Sequence, residues 1–344
     1  MSTRWRWGLG FFLCLLVLSS FWGVVTQRLG FSIANEDNRQ AFLAFYFTMI
    51  DSLEKFGKLD AWNPYVSIGN PNVSFNFLIY SFLHLGKAGF ITAMTWHLIA
   101  EFMLATVGFY VLGLTLGLHP IIAAASGFLY VRSTSAMVAM EFQPMFFHFV
   151  AIPWILVILF THPQRKAFTS ILLISLITYF QFTYGHNQLT LYSFLFLVTA
   201  LWIFKEKLNG KACRLLGLGT LLGAVFSAHW LLPFLEYLSL FKDRVIVDPV
   251  QFIETTHISW KYLAALVLPD LFGSAQEWWP SGWSVWDSYY VYAGPCTILF
   301  FLASGSTFFK NYPPFVKRFW IFSFVLIWLN SSVLGGQLMS LLNF

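Results

Sequence analysis

The chain has 344 residues, 58% of them hydrophobic and only 10% charged, with 20 Lys and Arg against 15 Asp and Glu. Ordinary soluble domains carry about 25% charged residues, so a soluble fold with a mean hydropathy of +0.68 would leave far too much apolar surface in water. The net charge of +5 is scattered through short segments between apolar runs, which argues against a nucleic-acid footprint and for topology signals.

Several apolar runs reach the roughly 20 residues that cross a bilayer core, and they are continuous rather than alternating. This predicts an all-α polytopic membrane protein with about nine spans, at 7–27, 88–112, 119–138, 144–161, 166–184, 188–204, 213–237, 289–309 and 318–338. The first follows Arg4 and Arg6 and lacks a small-x-small cleavage site, so it reads as an uncleaved anchor. With the N-terminus inside, the short inside segments hold 11 of the 20 basic residues and one acid, Glu206. The whole of 1–344 reads as one transmembrane domain with two long outer loops, about 28–87 and 241–288.

The first outer loop contains "AFLAFYFTMIDSLEKFG", where Phe42, Phe45, Tyr46, Ile50, Leu53 and Phe56 recur near a 3.6 period. An amphipathic helix in the outer interface fits this pattern. A Pro/Gly/Asn-rich turn region follows, then a short apolar piece at 73–85, too short to span and read as re-entrant or interfacial. The second outer loop carries "QEWWPSGWSVWDSYY", readable as an aromatic belt or as a sugar- or lipid-facing wall.

Candidate chemistry begins at Glu36 and Asp37, beside Arg39 and Gln40, where the chain leaves the first span. Loop acids facing water are ordinary. An acid held partly desolvated at a membrane surface could instead take a proton from an acceptor hydroxyl. It could equally hold a divalent metal against a phosphate leaving group. The second loop adds His257, Asp270, Glu277 and Asp287. Within the spans, only His97 and Glu101 read as deep. They form an i,i+4 pair that either lines a cavity or satisfies itself.

At the hinge "TYGHNQLT", Tyr184, His186, Asn187 and Gln188 form either a simple helix corner or a polar-ligand site. Cys14, Cys213 and Cys296 show no CxxC pairing, so no disulfide framework or zinc site is expected. No phosphate loop and no HExxH motif occur, so any activated substrate must come from elsewhere.

The order of several short motifs resembles the YfhO-like family of bacterial membrane proteins, within the GT-C class of glycosyltransferases. They are Asp37-x-x-Gln40, "GKLDAWNPYVSIGNP" at 57–71, "GHNQ" at 185–188, "LPDLFG" at 268–273 and "WDSYYVYAG" at 286–294. Asn187 stands where the family usually has Pro.

The resemblance implies a GT-C-like fold and sugar transfer from a polyprenyl-phosphate donor to a cell-envelope acceptor. Transfer would take place on the outer face of the bacterial cytoplasmic membrane. Asp37 would activate the acceptor with Glu36 beside it. Arg39, Gln40, Tyr184, His186, Asn187, Gln188, Trp283 and Asp287 would form the substrate site. The resemblance also implies further spans beyond the ninth, which makes the chain a fragment or a short relative. A transporter or flippase of lipid-linked sugars and a non-catalytic envelope-assembly scaffold stand as alternatives.

Overall fold

The computed structural model describes residues 3–21, 44–58, 62–63, 70–71, 77–133, 146–164, 166–184 and 187–240, with 314, 317, 318 and 321. Apart from the turns between elements, they are helical except for one two-residue antiparallel pairing, β1 (Trp62–Asn63) with β2 (Asn70–Pro71), in the Pro/Gly/Asn-rich region. The helices are α1 (Thr3–Ser20), α2 (Ala44–Phe56), α3 (Phe77–Leu83), α4 (Gly86–Thr115) and α5 (Pro120–Val131). They continue with α6 (Phe147–Thr161), α7 (Ala167–Thr183), α8 (Asn187–Ile203), α9 (Gly210–Phe226) and α10 (Ala228–Leu240). Among them α4, at 30 residues, is long and apolar enough to cross a membrane; α5, α6, α7 and most of α1 and α8 are shorter apolar helices.

Local chemistry sets the boundaries. Helix α4 ends where Gly117 takes φ +91°, and the Leu118 N–H then reaches back to the Gly113 carbonyl. That six-to-one bond is the Schellman closure that glycine permits. Helix α5 opens with Pro120 in its first turn, behind an extended His119 that accepts from the Ile121 N–H. Asn209 caps α9 by accepting from the Lys211 and Ala212 N–H groups. Pro153 inside α6 cannot bond the Phe149 carbonyl. The Tyr130 hydroxyl of α5 donates to that carbonyl at 3.1 Å instead.

Two expectations change. The segment expected as one span at 213–237 is two helices meeting at Ser227, whose backbone N–H and hydroxyl both turn back onto the Gly223 carbonyl. Such back-bonding bends helices. The helix expected at 42–56 forms as α2, but its apolar stripe packs against protein. Met49 and Ile50 are buried with Phe90 and Met94 of α4, while Phe56 faces out.

The chain divides into two compact units. The first comprises residues 1–132, 139–198 and 207–237. Within it α4 packs on α1, α5 and α6, and α7 packs on α6 and most closely on α9. The α7–α9 seam is made by small residues. A Cβ on Gly219 would meet Ile174 at 2.6 Å, and one on Gly223 would meet Thr178 at 2.6 Å and the Ser175 carbonyl at 2.8 Å. The spacing Gly219-x-x-x-Gly223 is the one that lets helix backbones approach inside a bilayer.

This unit distributes polarity inside out. Phe11, Phe12, Leu104, Ile121, Leu129, Phe168, Leu195, Leu221 and Val225 face outward, while Glu101, Thr106, His148, Ser175, Thr178, Gln181 and Ser193 are buried. In the second unit (133–138, 199–206 and 238–344), the Arg318 guanidinium donates to the Ile203 carbonyl at 2.9 Å and pairs with Glu206. Arg318 thereby holds the exposed Glu206 carboxyl at about 2, well below its ordinary 4.5.

Candidate functional site

Most of the residues assigned to the site from sequence lie outside the described part of the chain. These are Glu36, Asp37, Arg39, Gln40, His186, Trp283 and Asp287. Asn187 and Gln188 open α8, with their side chains outside the description. Tyr184 is described in full, and it joins two signals that stand far apart in sequence.

Tyr184 caps α7 and is 8% exposed. Its ring stands edge-on to the His97 ring of α4, with centroids 5.1 Å apart. His97 Nε2 lies 3.3 Å from Glu101 Oε1 one turn further along α4, and Glu101 is 2% exposed. Aromatic rings close the corner. Phe82 of α3 meets His97 edge-on, and Phe147 of α6 meets Tyr184. From above, α2 lays Met49 and Ile50 into the same cluster as Tyr184, and Tyr46 stacks obliquely on Phe90 at 4.9 Å. Burial pushes the Tyr46 phenol up to about 12. Helix α2 begins four residues after Gln40, so the acidic segment leads directly into the helix that covers this corner.

The corner is polar but poorly satisfied. Neither oxygen of Glu101, nor the Tyr184 hydroxyl, nor Gln181 Oε1 has a hydrogen-bond partner. Buried polar groups are nearly always bonded, and leaving one unmet costs about 1–3 kcal/mol, more when it is charged. Self-pairing therefore accounts for only one edge of Glu101.

A second polar node was missed from sequence. Gln181 lies one turn before Tyr184 on α7, and its amide nitrogen sits 3.3 Å from His148 Nδ1 of α6. Ser193 Oγ of α8 lies 3.2 Å from the same nitrogen, and the Thr190 hydroxyl donates to the Gln181 carbonyl at 3.0 Å. His148 is 3% and Gln181 0% exposed, so His97 and Glu101 are not alone at depth. The signal was present, a His and a Gln inside apolar runs, but a lone polar residue in a run gives no hint of its partner. Read together, Glu101, His97, Tyr184, Gln181, His148 and Ser193 run through α4, α7, α6 and α8.

Among the described residues no group of three or more His, Cys, Asp and Glu could hold a metal ion. Arg132 is exposed at the end of α5 over the Phe128 ring. On the α7–α9 side, Leu172, Ser175, Leu176, Tyr179 and Phe226 line an open apolar groove of about 420 Å³. No protein-family model matches the chain, and no curated protein and no solved structure matches it.

Proposed function

We propose that the chain is a YfhO-like, GT-C-type glycosyltransferase of the bacterial cytoplasmic membrane, polytopic with its N-terminus inside. It moves a sugar from a polyprenyl-phosphate donor to a cell-envelope acceptor on the outer face. The observation that carries this reading is the corner under α2. Unsatisfied polar groups of Tyr184 and Glu101 lie there, with Gln181 one turn before Tyr184 on α7, beside the helix that follows the Glu36–Gln40 segment.

The outward Leu and Phe and the Gly219–Gly223 seam support the polytopic reading, because a bilayer rewards both. The apolar groove along Leu172 and Leu176 offers lodging for a lipid chain. In this mechanism Asp37 accepts the proton of the acceptor hydroxyl as the sugar bond forms. Arg39, whose planar fork suits phosphate oxygens, holds the departing lipid phosphate. Tyr184, His186, Asn187, Gln188 and Gln40 hydrogen-bond the sugar, with Trp283 and Asp287 from the second outer loop.

A second reading, a transporter or flippase of lipid-linked sugars, is favoured by the mid-helix burial of Glu101, since transporters carry ionisable groups near the midplane.

Sugar transfer by the reconstituted full chain separates the two. Asp37→Asn should lower transfer from a polyprenyl-phosphate sugar by about 10²–10⁴-fold with normal insertion, the range of general-base catalysis. Glu36→Gln should cost much less. Normal transfer by the Asn variant would reduce Asp37 to a loop charge, and no transfer by the wild type would leave the transporter reading. For orientation, Gln40→Cys and Pro280→Cys should react with an impermeant reagent on intact cells and Lys211→Cys should not; the reverse pattern would remove the site from the outer face.

A further inference from the structure

No step of the sugar transfer falls to Glu101 itself, yet this carboxyl sits 98% buried in the middle of α4, the longest apolar helix among the described residues. Four charge states are open to the His97–Glu101 pair, and an imidazolium beside a neutral acid leaves a bare cation in an apolar interior. An ionised Glu101 beside a neutral ring leaves one bare charge in an apolar interior, the costliest arrangement. A carboxylate–imidazolium pair recovers that cost only with good geometry and further donors on the remaining lone pairs. Here the contact is 3.3 Å without hydrogen-bond alignment, and neither Glu101 oxygen meets a donor. A neutral carboxylic acid beside a neutral ring carries no charge and needs only one acceptor, which His97 Nε2 supplies after a small rotation.

We propose that Glu101 and His97 form a proton-binding site, in which Glu101 holds the proton as a neutral acid through the neutral pH range and His97 Nε2 accepts its hydrogen bond.

The surroundings contain nothing that would displace this proton. The ionisable groups nearest the pair are Tyr184 from the end of α7 and, behind it, Tyr46 from α2, both acting on the corner as phenols. Helix α3 presents Phe82 to His97, and its His84 is exposed against Tyr80. Asp51 of α2 is partly exposed and paired with Lys87 at 2.7 Å, and Glu54 is exposed. On α6, His148 is engaged with Gln181 and Ser193. On α5, Tyr130 bonds the Phe149 carbonyl and Arg132 faces out over Phe128. Helix α1 brings only Cys14 among its described side chains. No cation described among these residues reaches Glu101. Release of the proton therefore places one negative charge directly under Tyr184 and the α2 cluster, coupling proton occupancy to the packing that closes the corner.

The site goes beyond the proposed sugar transfer, and its test reads protonation rather than transfer. The full chain and its variants are reconstituted in lipid nanodiscs, and at neutral pH the infrared spectrum of each variant is subtracted from that of the wild type. The wild type should show the carbonyl band of a protonated carboxyl in apolar surroundings, and Glu101→Gln should lose it. His97→Gln should keep the band at a shifted frequency, because the acid stays neutral but exchanges its acceptor; this variant also carries the test if Glu101→Gln does not insert. A wild type without such a band, a Glu101→Gln spectrum identical to wild type, or an unshifted band in His97→Gln would overturn the proposal.

Discussion

Helix α7 takes part in two regions of opposite character. Along its middle, Ile174, Ser175 and Thr178 receive Gly219 and Gly223 of α9 with no room for a single added carbon. At its end, Gln181 and Tyr184 enter a corner where buried acceptors and a carboxyl go without partners. The seam also leaves hydroxyls unmet, on Ser170, Thr178 and Thr220. Those groups are small and never charged, whereas a buried carboxyl is costly unless it keeps its proton or gains a partner. Close approach of backbones explains the seam, whereas the packing of Tyr184 among apolar neighbours leaves the unmet polar atoms of the corner unexplained.

The sharpest way to break the seam is Gly223→Leu. Its side chain would have to displace Thr178 and the Ser175 carbonyl, so a loss of about 3 kcal/mol is expected, read as lower thermal stability in detergent. Gly217→Ala, which opens onto empty space, is the matched control and should melt like wild type. Equal melting of Gly223→Leu and wild type would erase the distinction between the regions.

His148→Phe addresses the link between them. It keeps a planar, somewhat larger ring but leaves the Gln181 amide nitrogen without its ring partner. A cost of about 1–3 kcal/mol follows for a buried donor left unmet. Adding Gln181→Leu should restore much of the loss, because replacing both partners by apolar groups is nearly neutral. A double variant no better than the single one would show that the ring packs rather than bonds.

The smallest expected effect lies in the second unit. The Glu206 carboxyl, held at about 2 by Arg318, contributes stability that is fully present above its ordinary 4.5. That contribution is lost as pH falls toward about 2. Both groups are solvent-accessible, so the change is slight. Protection from hydrogen exchange near Ile203, taken relative to the intrinsic rate at each pH, should fall on acidification in wild type and be low at every pH in Glu206→Gln. Identical profiles would show that the pair does not order the Ile203 carbonyl.

These results also show what the sequence made legible. Continuous apolar runs located α4 to within a few residues, and the 3.6 period located α2, because both signals are local. The break at Ser227 was not legible: serine within "AVFSAHW" is common in helices, and its effect depends on turning back onto the Gly223 carbonyl. The burial of α2 was hidden for a related reason, since an apolar stripe states that it must be covered and not by what. In the corner, His97 with Glu101 and Tyr184 were each visible as polar residues in apolar runs. Their meeting was not, because His97 and Tyr184 stand on helices separated in the chain by α5 and α6. The acids and aromatics of the outer loops remain readings from sequence, since their positions fall outside the described residues.

The claim that the corner is functional and not structural is tested most directly by Tyr184→Phe in the reconstituted full chain. The substitution removes a buried hydroxyl that has no partner and keeps the ring that packs on His97 and Phe147. Deleting an unsatisfied group should leave melting unchanged or slightly raised, while sugar transfer per folded molecule falls about tenfold, the worth of one hydrogen bond to substrate. Lower melting with unchanged transfer would contradict the account and make the corner part of the packing.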